Sequence, residues 1–140
     1  MGGGGSASKT SKPSGRDYLA GKSMVDRFEI TGTEKQVAYA RDIIKRPFEF
    51  IELNIERRKK EMERRINAAK KVDSKRIPVI RKEENQNIKD LKDFGKDLTK
   101  IQYKPMLESK KALKASDVIN RQGNFDGQKL YDVWKRTAKK

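Results

Sequence analysis

The chain has 140 residues, of which 34% are apolar and 39% charged, so it has room for one small domain with a thin core. Its net charge of +15, from 35 Lys and Arg against 20 Asp and Glu, attracts polyanions: DNA, RNA, an anionic membrane surface or an acidic protein. The absence of Cys and His excludes disulfides, thiolate and imidazole catalysis and the common zinc sites, and gives no sign of an oxidising compartment.

Residues 1–23 are rich in Gly, Ser, Lys and Thr, offer almost nothing to bury, and read as a flexible tail ahead of a single helical domain over 24–140. Met1-Gly2 with Ser6 fits the formal myristoylation pattern, and a Gly-rich leader or linker fits as well. Residues 24–31 alternate apolar and polar, which predicts an extended segment laying Phe28 and Ile30 on the helices, with no partner strand elsewhere. Thr33 with Gln36 three residues on is a capping box, and Val37, Ala40 and Ile44, flanked by Tyr39 and Ile43, follow at helical spacing. This first helix should span 33–46 and stop before Pro47.

Pro47 then opens a second helix over 48–72, where its missing N–H costs nothing. Phe48, Ile51, Ile55, Met62, Ile66 and Ala69 form a coiled-coil-like seam along it. Residues 73–78 read as a turn. A third helix over 80–103 carries the stripe Ile88, Leu91, Phe94, Leu98 and Ile101, with Gly95 weakening it by about 1 kcal/mol relative to Ala. Shorter helices are expected over 106–121, the second part capped by Ser116, and over 128–137, separated by the turn residues 123–127. The fold class is therefore all-α: a long antiparallel helical hairpin with shorter flanking helices and a Gly/Ser/Lys N-terminal tail.

The sharpest candidate site is the stretch 57–82, where twelve Lys and Arg face only Glu61, Glu63 and Asp73. Arg57, Lys60, Arg64 and Lys71 share one helical stripe that can track a phosphate backbone, and Arg58, Arg65, Arg76 and Arg81 complete the candidate nucleic-acid-binding set. The bland alternative is a solvated face with intrahelical pairs, such as Glu61 with Arg64 or Arg65 and Glu56 with Lys60. Tyr18, Tyr39 and Tyr103 are the aromatics able to stack on bases, although core packing or a half-buried position is the better explanation of each. A helix-turn-helix over 116–136 is weakened by its long Gly- and Asn-containing turn. Asp90, Asp93 and Asp97 share a helix face, but each neighbours a lysine, and no phosphate-binding loop or nucleophile elbow is present.

Two stretches carry a resemblance. Residues 31–42, TGTEKQVAYARD, resemble the GTEKQ-type helix opening of small uncharacterised phage and mobile-element proteins of Gram-positive bacteria. Residues 115–121, ASDVINR, resemble a segment near the end of such proteins. Tyr39 and Val118 stand where that pattern has Trp, and Arg41 where it has an acid. The resemblance implies an accessory protein of a phage or mobile element, handling nucleic acid or inhibiting a host defence complex in an anti-CRISPR-like role.

The sequence thus leads to a non-enzymatic, cofactor-free, cytoplasmic protein that binds DNA, RNA or a nucleoprotein complex through a basic helix face. The alternative is a protein-interaction module acting on a defence complex. The seam also offers a homodimer surface, and membrane binding is the weakest expectation. Burial of Ile51, Ile55, Met62 and Ile66 against the third helix would favour the first reading; their exposure would favour the second.

Overall fold

The computed structural model describes residues 17–138. In chain order the helices are α1 (Ala20–Met24), α2 (Glu34–Val72), α3 (Ile77–Leu98), α4 (Lys104–Glu108), α5 (Ala115–Asn120) and α6 (Gly127–Ala138), with two-residue strands β1 (Ile30–Thr31) and β2 (Leu113–Lys114). The frame is the expected antiparallel hairpin: α2 packs along α3 across a 3₁₀ turn at Ser74–Arg76. The seam residues Ile51, Ile55 and Ile66 are buried between them and Met62 is half-buried. Among the described residues, no helix is long and apolar enough to cross a membrane.

Where two helices were expected on either side of Pro47, α2 runs unbroken for 39 residues. A proline inside a helix removes one backbone hydrogen bond and crowds the preceding turn, at about 3 kcal/mol. Here the ring is fully buried among the residues that form the main core, Ile43, Ile44, Phe48 and Ile51. Pro47 leaves the Ile43 carbonyl without its helical donor, and the hydroxyl of Tyr103, itself buried, donates to the neighbouring Ile44 carbonyl at 2.5 Å. The Thr33 cap holds as expected: the Gln36 N–H donates to Thr33 Oγ1 and the Thr33 N–H to Gln36 Oε1, both at 3.2 Å.

The third helix also differs at both ends. It begins at Ile77, with Pro78 tolerated in its first turn, and continues through a π-helical turn (Thr99–Tyr103) into α4. A π turn inserts an extra residue, so the buried stripe steps from Leu98 to Tyr103. Ile101, expected on that stripe, is consequently 72% exposed, and Tyr103, considered for base stacking, is core.

Of the segment read as tail, residues 1–16 with the myristoylation pattern lie outside the described residues. Asp17–Leu19 and α1 are folded, and Val25–Arg27 is a 3₁₀ turn instead of an extended run. This segment crosses the hairpin at two glycines. A Cβ at Gly21 would strike the Phe48 ring, and one at Gly95 would fall inside contact distance of the Tyr18 backbone oxygen. Thr99 Oγ1 accepts from the Gly21 N–H at 3.0 Å and donates to the Gly95 carbonyl at 2.9 Å. Arg41 donates to the Val25 and Phe28 carbonyls, and Lys22–Glu52 and Lys45–Asp26 pairs fasten the rest. The missing partner of the short strand is β2: Ile30 pairs with Leu113 and Thr31 with Lys114 in parallel. The chain after α4 therefore returns to the N-terminal segment before α5 starts at Ala115, one residue ahead of the expected Ser116 cap.

Candidate nucleic-acid interface

The basic stretch occupies the distal half of α2, the turn, and the start of α3. The hydrophobic core there is interrupted. A main cluster ends at Ile55 and Ile88, and a small distal one holds Ile66, Ala69 and Ile80. Between them sits Glu84, 1% exposed. Its carboxylate accepts from Arg58 Nη1 at 3.2 Å, Arg65 Nη1 at 2.9 Å and Asn87 Nδ2 at 3.2 Å. Arg65 also donates to Glu83 at 2.9 Å. A carboxylate this deep is held only by paired donors of opposite charge. Arg58 and Arg65 are therefore spent on joining α2 to α3, and the hydrogen bonds to Glu83 and Glu84 raise the Arg65 pKa further.

The rest of the predicted set divides by face. Arg57, Lys60, Arg64 and Lys71 are all exposed. At 100° per residue they lie on the side of α2 turned away from Ile55, Ile66 and Ala69, so the hairpin partner does not cover them. At 1.5 Å per residue, Arg57 to Lys71 spans about 21 Å. Arg64 forms a local pair with Glu61, at 3.0 and 2.5 Å, and that hydrogen bond holds the Glu61 carboxyl below its usual range. The Glu61–Arg64 pair matches the bland alternative; the Glu56–Lys60 pair does not form. Among the described residues, Arg57, Lys60, Lys71, Arg76 and Arg81 carry no ion pair.

Arg76 in the turn is brought next to Arg64 and Arg65 around a groove of about 400 Å³ floored by Ala68, Ala69, Val72 and Ile80. Arg81, exposed on α3, does not line that groove. The structure thus gathers Arg57, Lys60, Arg64 and Lys71 into one face, sets Arg76 at its end, and ties Arg58 and Arg65, both still partly exposed, to Glu84.

Tyr39 stays partly exposed, with the Arg46 guanidinium 5.8 Å from its ring centroid and its hydroxyl accepting from Gln122 at 3.2 Å. Tyr18 is half-buried, near Lys92. Asp93 pairs with Lys89 at 2.7 Å, Asp97 accepts from Trp134 Nε1 at 2.8 Å, and Asp90, buried, accepts from Gln86 at 2.9 Å. In the 116–136 region, α5 packs on α2, and α6 packs on α2 and α3 through Tyr131 and Trp134.

Sequence reasoning missed Glu84 as an organising residue. Its signal was present: Glu84 lies midway between Ile80 and Ile88 at steps of four, a charge on an apolar stripe. No family model matches this chain, and neither a curated protein nor a solved structure matches it.

Proposed function

We propose that this protein binds nucleic acid through its phosphates, alone or within a nucleoprotein complex, using the outer face of α2. The observation that carries this reading is the row Arg57, Lys60, Arg64 and Lys71, exposed on the side of α2 opposite the seam. The filled seam supports it too. Ile51, Ile55 and Ile66 are covered by the chain's own α3, so a homodimer through them would have to displace that helix. A row of cations on one rigid helix neutralises phosphates and releases their counterions, which gives affinity without base readout.

The test is binding of labelled DNA and RNA duplexes across a salt series, starting well below physiological ionic strength. Four phosphate contacts predict a slope of log affinity against log salt of about −3.6. Arg57→Glu, Lys60→Glu and Lys71→Glu should each flatten it by about 1. A salt-independent affinity, or slopes untouched by all three reversals, would refute the reading.

A second reading rests on the hairpin tip, where Val72 is 87% and Val79 56% exposed near the Arg64, Arg65 and Arg76 groove. An apolar tip ringed by arginine suits docking on an acidic protein surface, as an inhibitor of a host defence complex would need. Val72→Glu with Val79→Glu would abolish such docking and leave duplex binding unchanged. Loss of duplex binding instead would place the tip within the nucleic-acid interface.

A further inference from the structure

A groove of about 620 Å³ opens at the other end of the basic face, between α2 and the α5–α6 corner. Arg57 belongs to both the phosphate row and the groove lining. Inside, the charges balance: Arg46 and Arg57 stand against Glu49 and Asp126. Arg46 is already engaged, donating to Gln122 Oε1 at 2.9 Å. A phosphate group would therefore meet two carboxylates and gain little by entering.

A flat, neutral group with apolar faces and polar edges fits better. Phe50 and the exposed Leu53 supply apolar wall. Asn54 Nδ2 donates to the Phe50 carbonyl at 2.8 Å and Gln128 Nε2 to Asp132 at 2.9 Å, so the carboxamide oxygens of both remain as acceptors. Amide acceptors and carboxylates beside an aromatic ring are the partners that a nucleobase takes on its amino and imino edge.

We infer that the groove receives one unpaired base of a strand whose phosphates lie on Arg57 and its neighbours along α2. The inference rests on the phosphate-binding reading above and narrows its ligand to nucleic acid with a bulged, flipped or terminal unpaired nucleotide. Phosphates outside and a base inside would share Arg57 as their boundary.

Gly123 provides the test variant. It lines the groove, and a Cβ there meets only Lys129 Nζ at 3.9 Å, so a bulky side chain can be placed at the groove's rim without a clash at its Cβ. The full chain is titrated with a perfect duplex and with the same duplex carrying one bulged 2-aminopurine, as DNA and as RNA. The bulged probe should bind about fivefold or more tighter and change its fluorescence on binding. In Gly123→Trp, checked for an unchanged melting temperature, that preference should vanish while perfect-duplex affinity stays within about twofold. Equal affinities in the native chain, or a preference that survives Gly123→Trp, overturn the groove assignment and leave the phosphate row standing. Failure of both probes to bind at low salt overturns the phosphate row, and the groove assignment with it.

Discussion

Replacing Gly95 by Ala tests how the N-terminal segment is fixed to the hairpin. Helix propensity alone predicts a gain of about 1 kcal/mol, since Gly95 lies inside α3. Packing predicts the opposite. The new methyl would stand 3.0 Å from Tyr18 Cβ and 3.1 Å from Ile51 Cδ1, and closer still to the Tyr18 backbone oxygen. A backbone atom cannot swing aside as a side-chain tip can, so Asp17–Leu19 must lift. Lifting strains the Gly21 N–H to Thr99 bond and the seating of Val25, which is fully buried.

Overpacking costs about 1–3 kcal/mol, and a contact with backbone puts this site at about 2–3, from which the propensity gain is subtracted. The ceiling is set by detaching the segment altogether, since exposing Val25 alone forfeits about 1.5–3 kcal/mol. A net loss of about 1–2 kcal/mol corresponds to a melting temperature lower by about 4–10 °C for a domain of this size. Thermal melts followed by circular dichroism measure it, and amide exchange at Gly21 reports whether the segment has lifted. Gly123→Ala is the control, with only an ordinary contact to Lys129 Nζ at 3.9 Å from its Cβ and no expected loss. A Gly95→Ala protein as stable as the parent, with Gly21 still protected, would refute the close-crossing argument.

Two further outcomes follow from the buried groups. Glu84→Ala should cost about 2 kcal/mol, because it strands Arg58 and half of Arg65, whereas Arg57→Ala should stay within about 0.5 kcal/mol; equal losses in chemical denaturation would undo the division into structural and free arginines. Burial raises the pKa of Tyr103 and pushes that of Tyr131 up to about 12, against an unfolded value near 10. The folded state therefore keeps protons that the unfolded chain has lost, and stability falls as pH rises from about 10 through 12. Absorbance at 295 nm should show both phenols ionising later in the native than in the denatured chain; superimposable titrations, or flat stability over that window, would contradict it.

How much of the fold was legible depended on whether the signal was periodic or tertiary. The seam of α2, the Thr33 cap and the turn near Ser74 stand in the sequence because they depend on spacing and local hydrogen bonding. The continuity through Pro47 does not. It rests on tertiary packing: Pro47 is buried in the core, and Tyr103, 56 positions later and just past the π turn, packs on Phe48 and donates to the Ile44 carbonyl. The same turn moved Ile101 outward, an error that no straight-helix template could avoid. β1 was assigned no partner because its partner is two residues long, too short for alternation to reveal.

The site was half legible for a related reason. Composition found the basic stretch, and helical spacing found the row Arg57, Lys60, Arg64 and Lys71, which needs only one helix to define it. Arg58 and Arg65 are chemically identical to their neighbours, and their different fate is decided across the hairpin. Register places Glu84 opposite them, and a buried carboxylate takes the nearest guanidinium groups whatever else they might bind. The division has a consequence for any polyanion that docks here. It meets a face whose outer cations are held in position by an inner pair that it does not have to displace. The cost of ordering α2 is then met in folding, and the free row is presented on a rigid helix instead of being assembled on contact.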